Sequence, residues 1–141
     1  MVGLRACIDV DDIDKAIAFY RDAIGLTPGR RLGSDWAEML GAAVPIDLLA
    51  NPSGSPCCPG GTDRRDYGRH WTPVHLDFAV ADLDMAVARA LAAGATLDRA
   101  IQDRVWGRMA NAADPFGNGF CLLEFNDRGY DAMLETGRET V

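Results

Sequence analysis

The stretch VHLDFAVADLDMAVARALAAG, residues 74–94, reads as a β-strand that runs directly into an α-helix. In residues 74–80 apolar and more polar side chains alternate, which is the two-residue period of a strand with one apolar face. Asp82 can cap a following helix, because its carboxylate can accept a hydrogen bond from the first turn. Apolar residues then recur at helical spacing, and Gly94 can end the helix.

The same pattern occurs at residues 4–24, LRACIDVDDIDKAIAFYRDAI, 70 residues earlier. The same offset joins two further pairs of residues, Trp36 with Trp106 and Met39 with Met109. Four additional residues, FGNG at 116–119, then raise the offset to 74 for the last strand. A repeat of this length indicates that one supersecondary unit has been duplicated.

Each copy continues as three further strands, so the sequence predicts an α+β fold of two βαβββ modules. In the second module these strands are expected at residues 95–102, 105–110 and 120–125. The predicted divisions are a first module at 1–50, a linker loop at 51–72, a second module at 73–125 and a C-terminal tail at 126–141. The linker is rich in Gly, Pro and Ser and ends in His70 and Trp71, which can border a ligand site. In the tail, Tyr130, Met133 and Leu134 are expected to form one short helix that docks on the body.

Composition excludes several classes of partner. The chain of 141 residues has a net charge of −7, which argues against nucleic acid, because a phosphate backbone requires a basic surface. No apolar run approaches the roughly 20 residues of a membrane-spanning helix. Its four cysteines include the adjacent pair Cys57 and Cys58, and no secretory signal is recognisable. We therefore expect reduced thiols and a cytoplasmic location.

The doubled unit, with D-[IL]-D-x-A-[IV]-A opening each helix, resembles the vicinal oxygen chelate superfamily. That group includes glyoxalase I, bleomycin-resistance proteins and extradiol dioxygenases. AFYRD at residues 18–22 and DPFGN at residues 114–118 are similar to local signatures of the group, and the resemblance spans residues 4–125. It implies that the modules curl their strands into half-barrel sheets around a cup for a small molecule. It also implies a homodimer.

In metal-dependent members of that superfamily, ligands lie on the first and last strand of each module. Matching the motifs places these positions at Arg5, Asp47, His75 and Cys121, where the usual residues are His or Gln on the first strands and Glu on the last. Only His75 keeps to this pattern. Arg5 is a permanent cation that cannot bind a metal, and Cys121 replaces the carboxylate that serves glyoxalase I as its base. Glu124 is not a substitute, because it lies three positions beyond Cys121, and an odd step along a strand turns it to the other face.

The role of each position has two interpretations at this point. Arg5 either pairs with Asp47 or another acid of the same face, or anchors an anionic group of a ligand. Asp47 correspondingly pairs with Arg5 or contacts the ligand. His75 is expected to line the site, and Cys121 is either a small buried residue or a thiol of lowered pKa. Trp106 belongs to a core or module interface, or supplies apolar surface to the ligand.

The sequence thus predicts a small-molecule binding protein of the bleomycin-resistance type that uses no metal or other cofactor. Its predicted ligand-binding residues are Arg5, Asp47, His75, Cys121 and Trp106, and no catalytic residue is assigned. The alternative is a metal-dependent enzyme: a glyoxalase-like lyase, an isomerase or a dioxygenase. Such an enzyme would hold Zn, Ni, Mn or Fe on the atypical set Asp47, His75 and Cys121.

Overall fold

In the computed structural model, which describes residues 1–136, the chain folds as two mixed β-sheets with helices packed between them. The first part contains β1 (Ala6–Val10), α1 (Ile13–Phe19) continued by a π-helical turn (Tyr20–Ile24), β2 (Thr27–Leu32), β3 (Trp36–Leu40) and β4 (Ile46–Ala50). The second contains β5 (Leu76–Ala79), α2 (Leu83–Ala92), β6 (Thr96–Leu97), β7 (Gln102–Arg104), β8 (Gly107–Ala113), β9 (Gly119–Phe125) and α3 (Asp131–Thr136). Residues 137–141 of the predicted tail lie outside the described residues.

The two sheets share one strand order. The first runs β1-β4-β3-β2 and the second β5-β9-β8-β6, with β7 paired to β8. In each, the strand that precedes the helix lies at an edge and pairs in parallel with the last strand of its module. The predicted α+β fold, with two strand–helix–strand–strand–strand units, is therefore confirmed.

Both helices begin at the residues that the sequence indicated. The Asp12 carboxylate accepts a hydrogen bond from the Lys15 backbone amide at 3.0 Å, and Asp82 accepts one from Met85 at 2.9 Å. Each satisfies a donor that the first turn of a helix leaves without a partner. Gly25 ends the first helical segment at a φ of 84°, which only glycine adopts without strain.

The helix-facing sides of both sheets form one hydrophobic core. Val10 and Leu48 of the first sheet and Phe120 and Leu122 of the second are all buried in it. Phe19 of α1 reaches across to Phe120, with their ring centroids 6.2 Å apart. The opposite face of each sheet therefore points away from this shared core, and those outer faces carry the residues singled out by the sequence.

A buried carboxylate joins the two units. Asp114, in the turn between β8 and β9, is 4% exposed and accepts four hydrogen bonds. The Tyr20 hydroxyl donates to it at 2.6 Å, the Phe116 amide at 2.8 Å, and Asn118 through its backbone and side-chain nitrogens at 2.9 and 3.0 Å. The Asn118 side chain also donates to the Asp9 carbonyl of β1 at 3.0 Å. The pKa of the Tyr20 hydroxyl is raised well above its ordinary value, because the side chain is buried and lies beside Asp114.

Two details of the sequence prediction are wrong. Residues 95–102 form no continuous strand; β6 covers only Thr96–Leu97, and β7 begins at Gln102. The offset of 70 also fails in the third strand of the modules. Glu38 lies opposite Asp47, whereas Asn111 lies opposite Cys121, so the structural offset there is 73. The pairings of Trp36 with Trp106 and Met39 with Met109 therefore do not hold, because the hairpin of β7 and β8 places additional residues before this strand.

We expect Asp114→Ala to lower the free energy of unfolding by about 3–5 kcal/mol, since it removes a buried charge and leaves several donors unsatisfied. Tyr20→Phe removes one of the four hydrogen bonds and should cost about 1–3 kcal/mol. Urea unfolding followed by far-UV circular dichroism measures both losses. Asp127→Ala, at an exposed position beyond β9, is the control. A loss for Asp114→Ala no larger than that of the control would contradict the role of this carboxylate.

Candidate functional site

The outer face of the first sheet carries an arginine held by two acids. Arg5 donates to both oxygens of Asp47, from Nε at 2.7 Å and from Nη2 at 2.6 Å, and Nη2 also donates to Glu38 at 2.7 Å. The strand register explains the arrangement, because Cys7 of β1 lies opposite Asp47 and Asp47 lies opposite Glu38. Arg5 precedes Cys7 by two residues and so shares its face. Of the two interpretations of Arg5, the structure shows the ion pair with Asp47.

Arg30 completes this group, which we call the Arg5 cluster: Arg5, Arg30, Glu38 and Asp47. Arg30 donates to Glu38 through Nη2 at 2.6 Å and Nε at 3.0 Å. Hydrogen bonds from Arg30 and Arg5 lower the pKa of Glu38 to about 2, and Arg5 lowers the pKa of Asp47. Both carboxylates are nearly inaccessible, whereas the side chain of Arg5 is 41% exposed. Two cations and two anions make the cluster neutral.

The outer face of the second sheet carries a different group. His75 Nε2 lies 3.1 Å from Asp77 Oδ1, and Asp77 lies opposite Cys121 in the parallel pairing of β5 with β9. The Asn111 side chain donates to Cys121 Sγ at 3.2 Å. Burial and the nearby Asp77 raise the pKa of Cys121 to about 11, so at neutral pH its thiol is protonated. The alternative of a thiol with a lowered pKa is wrong.

A pocket of about 170 Å³ opens beside this group. His75, Asn111 and Cys121 line it from the sheet, and Trp71 lines it from the linker. Trp71 is 83% exposed, which places a large aromatic surface at the mouth of the pocket. The pocket thus combines polar side chains from the sheet with an aromatic ring from the linker. A larger pocket of about 300 Å³ lies along α2 and contains none of the predicted site residues.

Trp106 lies on the same outer face but is covered. It is 1% exposed, with its ring centroid 5.5 Å from that of Phe125 and 5.3 Å from that of Tyr130. Glu124 faces the opposite side of β9, as its position in the sequence indicated, and accepts a hydrogen bond from the Leu83 amide at 2.6 Å. Glu124 thus supports the start of α2 and takes no part in the outer face.

The structure brings the predicted residues together in two groups on different sheets: Arg5 with Asp47, and His75 with Cys121 and Trp106. The sequence reasoning missed Arg30, Glu38, Asp77 and Asn111. Asp77 carried a signal, because it lies two residues from His75 in an alternating strand. No such signal pointed to Glu38 or Asn111, because the offset of 70 does not align these two residues with each other.

The four superfamily positions do not fit a metal centre. Asp47 has both oxygens engaged by Arg5, whose fixed positive charge would repel a cation. A partial set exists within the second module alone. His75, Asp77 and Cys121 offer ligand atoms that all lie within 4.8 Å of one another. This set differs from the predicted one, because Asp77 stands in it where Asp47 was expected.

Two sheets of one strand order, each with a polar group on the face turned away from a shared core, define the fold of the vicinal oxygen chelate superfamily. The model of the Glyoxalase-like domain matches residues 5–123, and the chain belongs to that family. In the described part of the chain, no helix is long and apolar enough to cross a membrane.

Proteins similar in sequence include an uncharacterized protein and a biosynthesis protein. An uncharacterized protein of Mycobacterium bovis is 34% identical over 117 residues, which are 80% of this chain and 76% of that protein. The anthracycline biosynthesis protein DauV of Streptomyces sp. (strain C5) is 30% identical over 120 residues, which are 83% of this chain and 39% of DauV.

Solved structures share the fold at lower identity. A mutant of the fosfomycin resistance protein FosX from Listeria monocytogenes, in complex with Mn(II) and a dihydroxypropylphosphonic acid, has a TM-score of 0.72 and 20% identity over 98% of this chain and 99% of FosX. The antibiotic binding protein TnmS3 from Streptomyces sp. CB03234 has a TM-score of 0.61 and 21% identity, over 89% of this chain and 97% of TnmS3.

We expect Arg5→Ala to reduce stability at pH 7 and to have a smaller effect at pH 3. In the folded chain Arg5 lowers the pKa of Asp47, and Arg30 and Arg5 together lower that of Glu38, which raises stability at pH values above the ordinary pKa values of 3.8 and 4.5. That contribution is lost as the pH falls toward about 2, where Glu38 becomes protonated in the folded chain as well. Urea unfolding at pH 7 and pH 3 measures the difference between variant and wild type. Arg21→Ala, which removes an exposed pair with Asp22, is the control and should show almost no loss at either pH.

Proposed function

We propose that the protein is a small-molecule binding protein of the bleomycin-resistance type, which holds its ligand in a polar and aromatic cup without a catalytic metal. The observation that carries the proposal is the bidentate pair of Arg5 with Asp47, at 2.7 and 2.6 Å. It engages both positions of the first sheet that a metal-dependent relative would use for ligands.

The energetics of this pair support the proposal. A metal ion at Asp47 would have to break two charge-assisted hydrogen bonds, each of which is stronger than a neutral one. It would then lie beside a guanidinium that cannot lose its proton. At Cys121 a metal would in addition have to displace the thiol proton, whose pKa is raised to about 11.

The pocket beside His75 and Trp71 supports an organic ligand with an aromatic part. An exposed Trp ring at a pocket mouth gains most from a planar partner, on which it can stack. The net charge of −7 favours a neutral or cationic compound. TnmS3, an antibiotic binding protein, and DauV, an anthracycline biosynthesis protein, are consistent with polycyclic compounds as the class to test.

In this proposal a second copy of the chain completes the cup. Within one chain the Arg5 cluster and the group at His75 lie on sheets whose helix-facing sides share a core, so their outer faces point away from it. A two-fold axis would bring the first outer face of one copy opposite the second outer face of its partner, giving two equal cups. The protein would act in the cytoplasm, where its free cysteines stay reduced.

A second candidate function, a metal-dependent lyase, isomerase or dioxygenase, is favoured by the cluster of His75, Asp77 and Cys121. An imidazole, a carboxylate and a thiolate together can bind Zn²⁺ and leave a position open. A metal so held would polarise a substrate oxygen. In that case His75 and Asp77 would serve as ligands and not as contacts to an organic compound.

Elemental analysis separates the two candidates. After incubation with Ni, Zn, Mn or Fe salts and dialysis, we expect the purified protein to retain clearly substoichiometric metal, because one half of the usual ligand set is an ion pair. His75→Ala and Asp77→Ala, treated identically, should retain the same trace amount. Near-stoichiometric metal in the wild type that both substitutions remove would replace the metal-free proposal by the enzyme.

Ligand binding is tested with doxorubicin, a polycyclic aromatic cation, and with bleomycin. We expect saturable quenching of Trp fluorescence, and Trp71→Ala should weaken binding about three- to tenfold through the loss of aromatic stacking. Leu91→Ala, at a partly exposed site on α2 outside the pocket, should leave the affinity unchanged. Sedimentation of the complex should show two chains with two equivalents of ligand. A monomer that binds neither compound, or binding that is unaffected by Trp71→Ala, would count against this cup.

A further inference from the structure

Among the described residues, two hydrophobic clusters pack on opposite faces of the second sheet. Phe120 and Leu122 of β9 point into the core shared with the helices α1 and α2. Cys121 and Leu123, which alternate with them, belong to a second cluster together with Trp106. Because side chains alternate along a strand, this second cluster occupies the outer face, which also carries His75 and Asp77.

The C-terminal helix α3 covers this outer face. Ala132 of α3 is 5% exposed and belongs to the second cluster, and Met133 packs against it. Just before the helix, Tyr130 packs on Phe125, with ring centroids 4.8 Å apart, and on Trp106. Burial and the nearby charge of Asp77 raise the pKa of Tyr130.

Cys121 separates α3 from the open pocket. It contributes to the cluster under α3 and also lines the pocket of about 170 Å³ beside His75. The apolar surface of Met109, Leu123 and Trp106 continues the pocket along the same face, but α3 and Tyr130 occupy the space above it. A ligand therefore meets only the part of this face that α3 leaves uncovered.

We infer that α3 is a wall of the ligand cup that limits the size of the compound that binds. With α3 docked, the part of the second outer face that a ligand can contact is limited to the pocket of His75 and Trp71. With α3 released, Met109, Leu123 and Trp106 add an apolar surface on which a larger polycyclic compound can lie. This inference rests on the proposed function, because it concerns the extent of the same cup.

The test releases α3 and compares the affinity for a bulky neutral probe, the polycyclic dye Nile red. Ala132→Asp places a charge in the contact with Trp106 and Leu123, which should undock the helix. Leu134→Asp, on the exposed side of the same helix, is the matched control. Undocking is measured separately as the rate at which Cys121 reacts with a thiol reagent, in a background where the exposed Cys7, Cys57 and Cys58 are replaced by Ser.

We expect Ala132→Asp to accelerate labelling of Cys121 and to raise the affinity for the probe about tenfold or more, since further apolar surface becomes available. Leu134→Asp should behave as the wild type in both respects. A chain that ends at Gly129 should reproduce the effect of Ala132→Asp, which guards against misfolding of that variant. Adding Met109→Trp to Ala132→Asp should cancel the gain, because the larger side chain refills the vacated space.

Two results would overturn the inference. Labelling of Cys121 that is no faster in Ala132→Asp and in the shortened chain than in the control would mean that α3 does not cover this face. Faster labelling with unchanged affinity, or a gain in affinity that Met109→Trp does not cancel, would mean that α3 is no wall of the cup. Either result leaves the proposed function standing, because that proposal is decided by metal content and by the effect of Trp71→Ala.

Discussion

The geometry of both outer faces depends on the carboxylate of Asp114. It accepts hydrogen bonds from its own turn and from Tyr20 of the first unit, and Asn118 of the same turn reaches the backbone of β1. β1 follows Arg5 directly, and the turn leads into β9, which carries Cys121. This buried network therefore fixes the position of β1, which follows Arg5, relative to β9, which carries Cys121. A buried charge with four donors is stable only in a closed arrangement, so it also specifies how the two units pack.

The first polar group is built around a permanent cation. Arg5 supplies this charge, and Asp47 and Glu38 are arranged around it. Arg30 from β2 balances the second acid. These carboxylates are nearly buried, and their lowered pKa values show that the cluster stabilises their charged forms. Charges that satisfy one another in this way are poorly available to an ion from solution.

The local part of this architecture could be predicted from the sequence, whereas the pairing between strands could not. Asp12 and Asp82 mark the helix starts because a cap depends only on the next three residues. The face of Glu124 follows from counting along one strand. The partnership of Glu38 with Arg5 depends instead on the register of three strands, which the constant offset of 70 misjudged.

The covering of Trp106 by Tyr130 could not be predicted for the same reason. It requires the chain to return after β9 and fold over the outer face of the second sheet. The sequence indicated a short helix near Tyr130 and Met133 that would dock on the body, but nothing local to that segment specifies the face on which it docks. The covering of this face is thus set by a long-range contact and not by the repeated motif.

The charges of the two outer faces also constrain the ligand. The charges of the Arg5 cluster sum to zero. The two carboxylates therefore offset the positive field of the exposed Arg5 guanidinium. The other face adds the negative charge of Asp77 beside His75. Arg69, which also lines the pocket beside His75, is paired with Asp98 and adds no net charge. Under the proposed function, recognition would therefore rest on shape, aromatic contact and hydrogen bonds to His75 and Asn111, which suits a neutral or cationic aromatic compound better than a small anion.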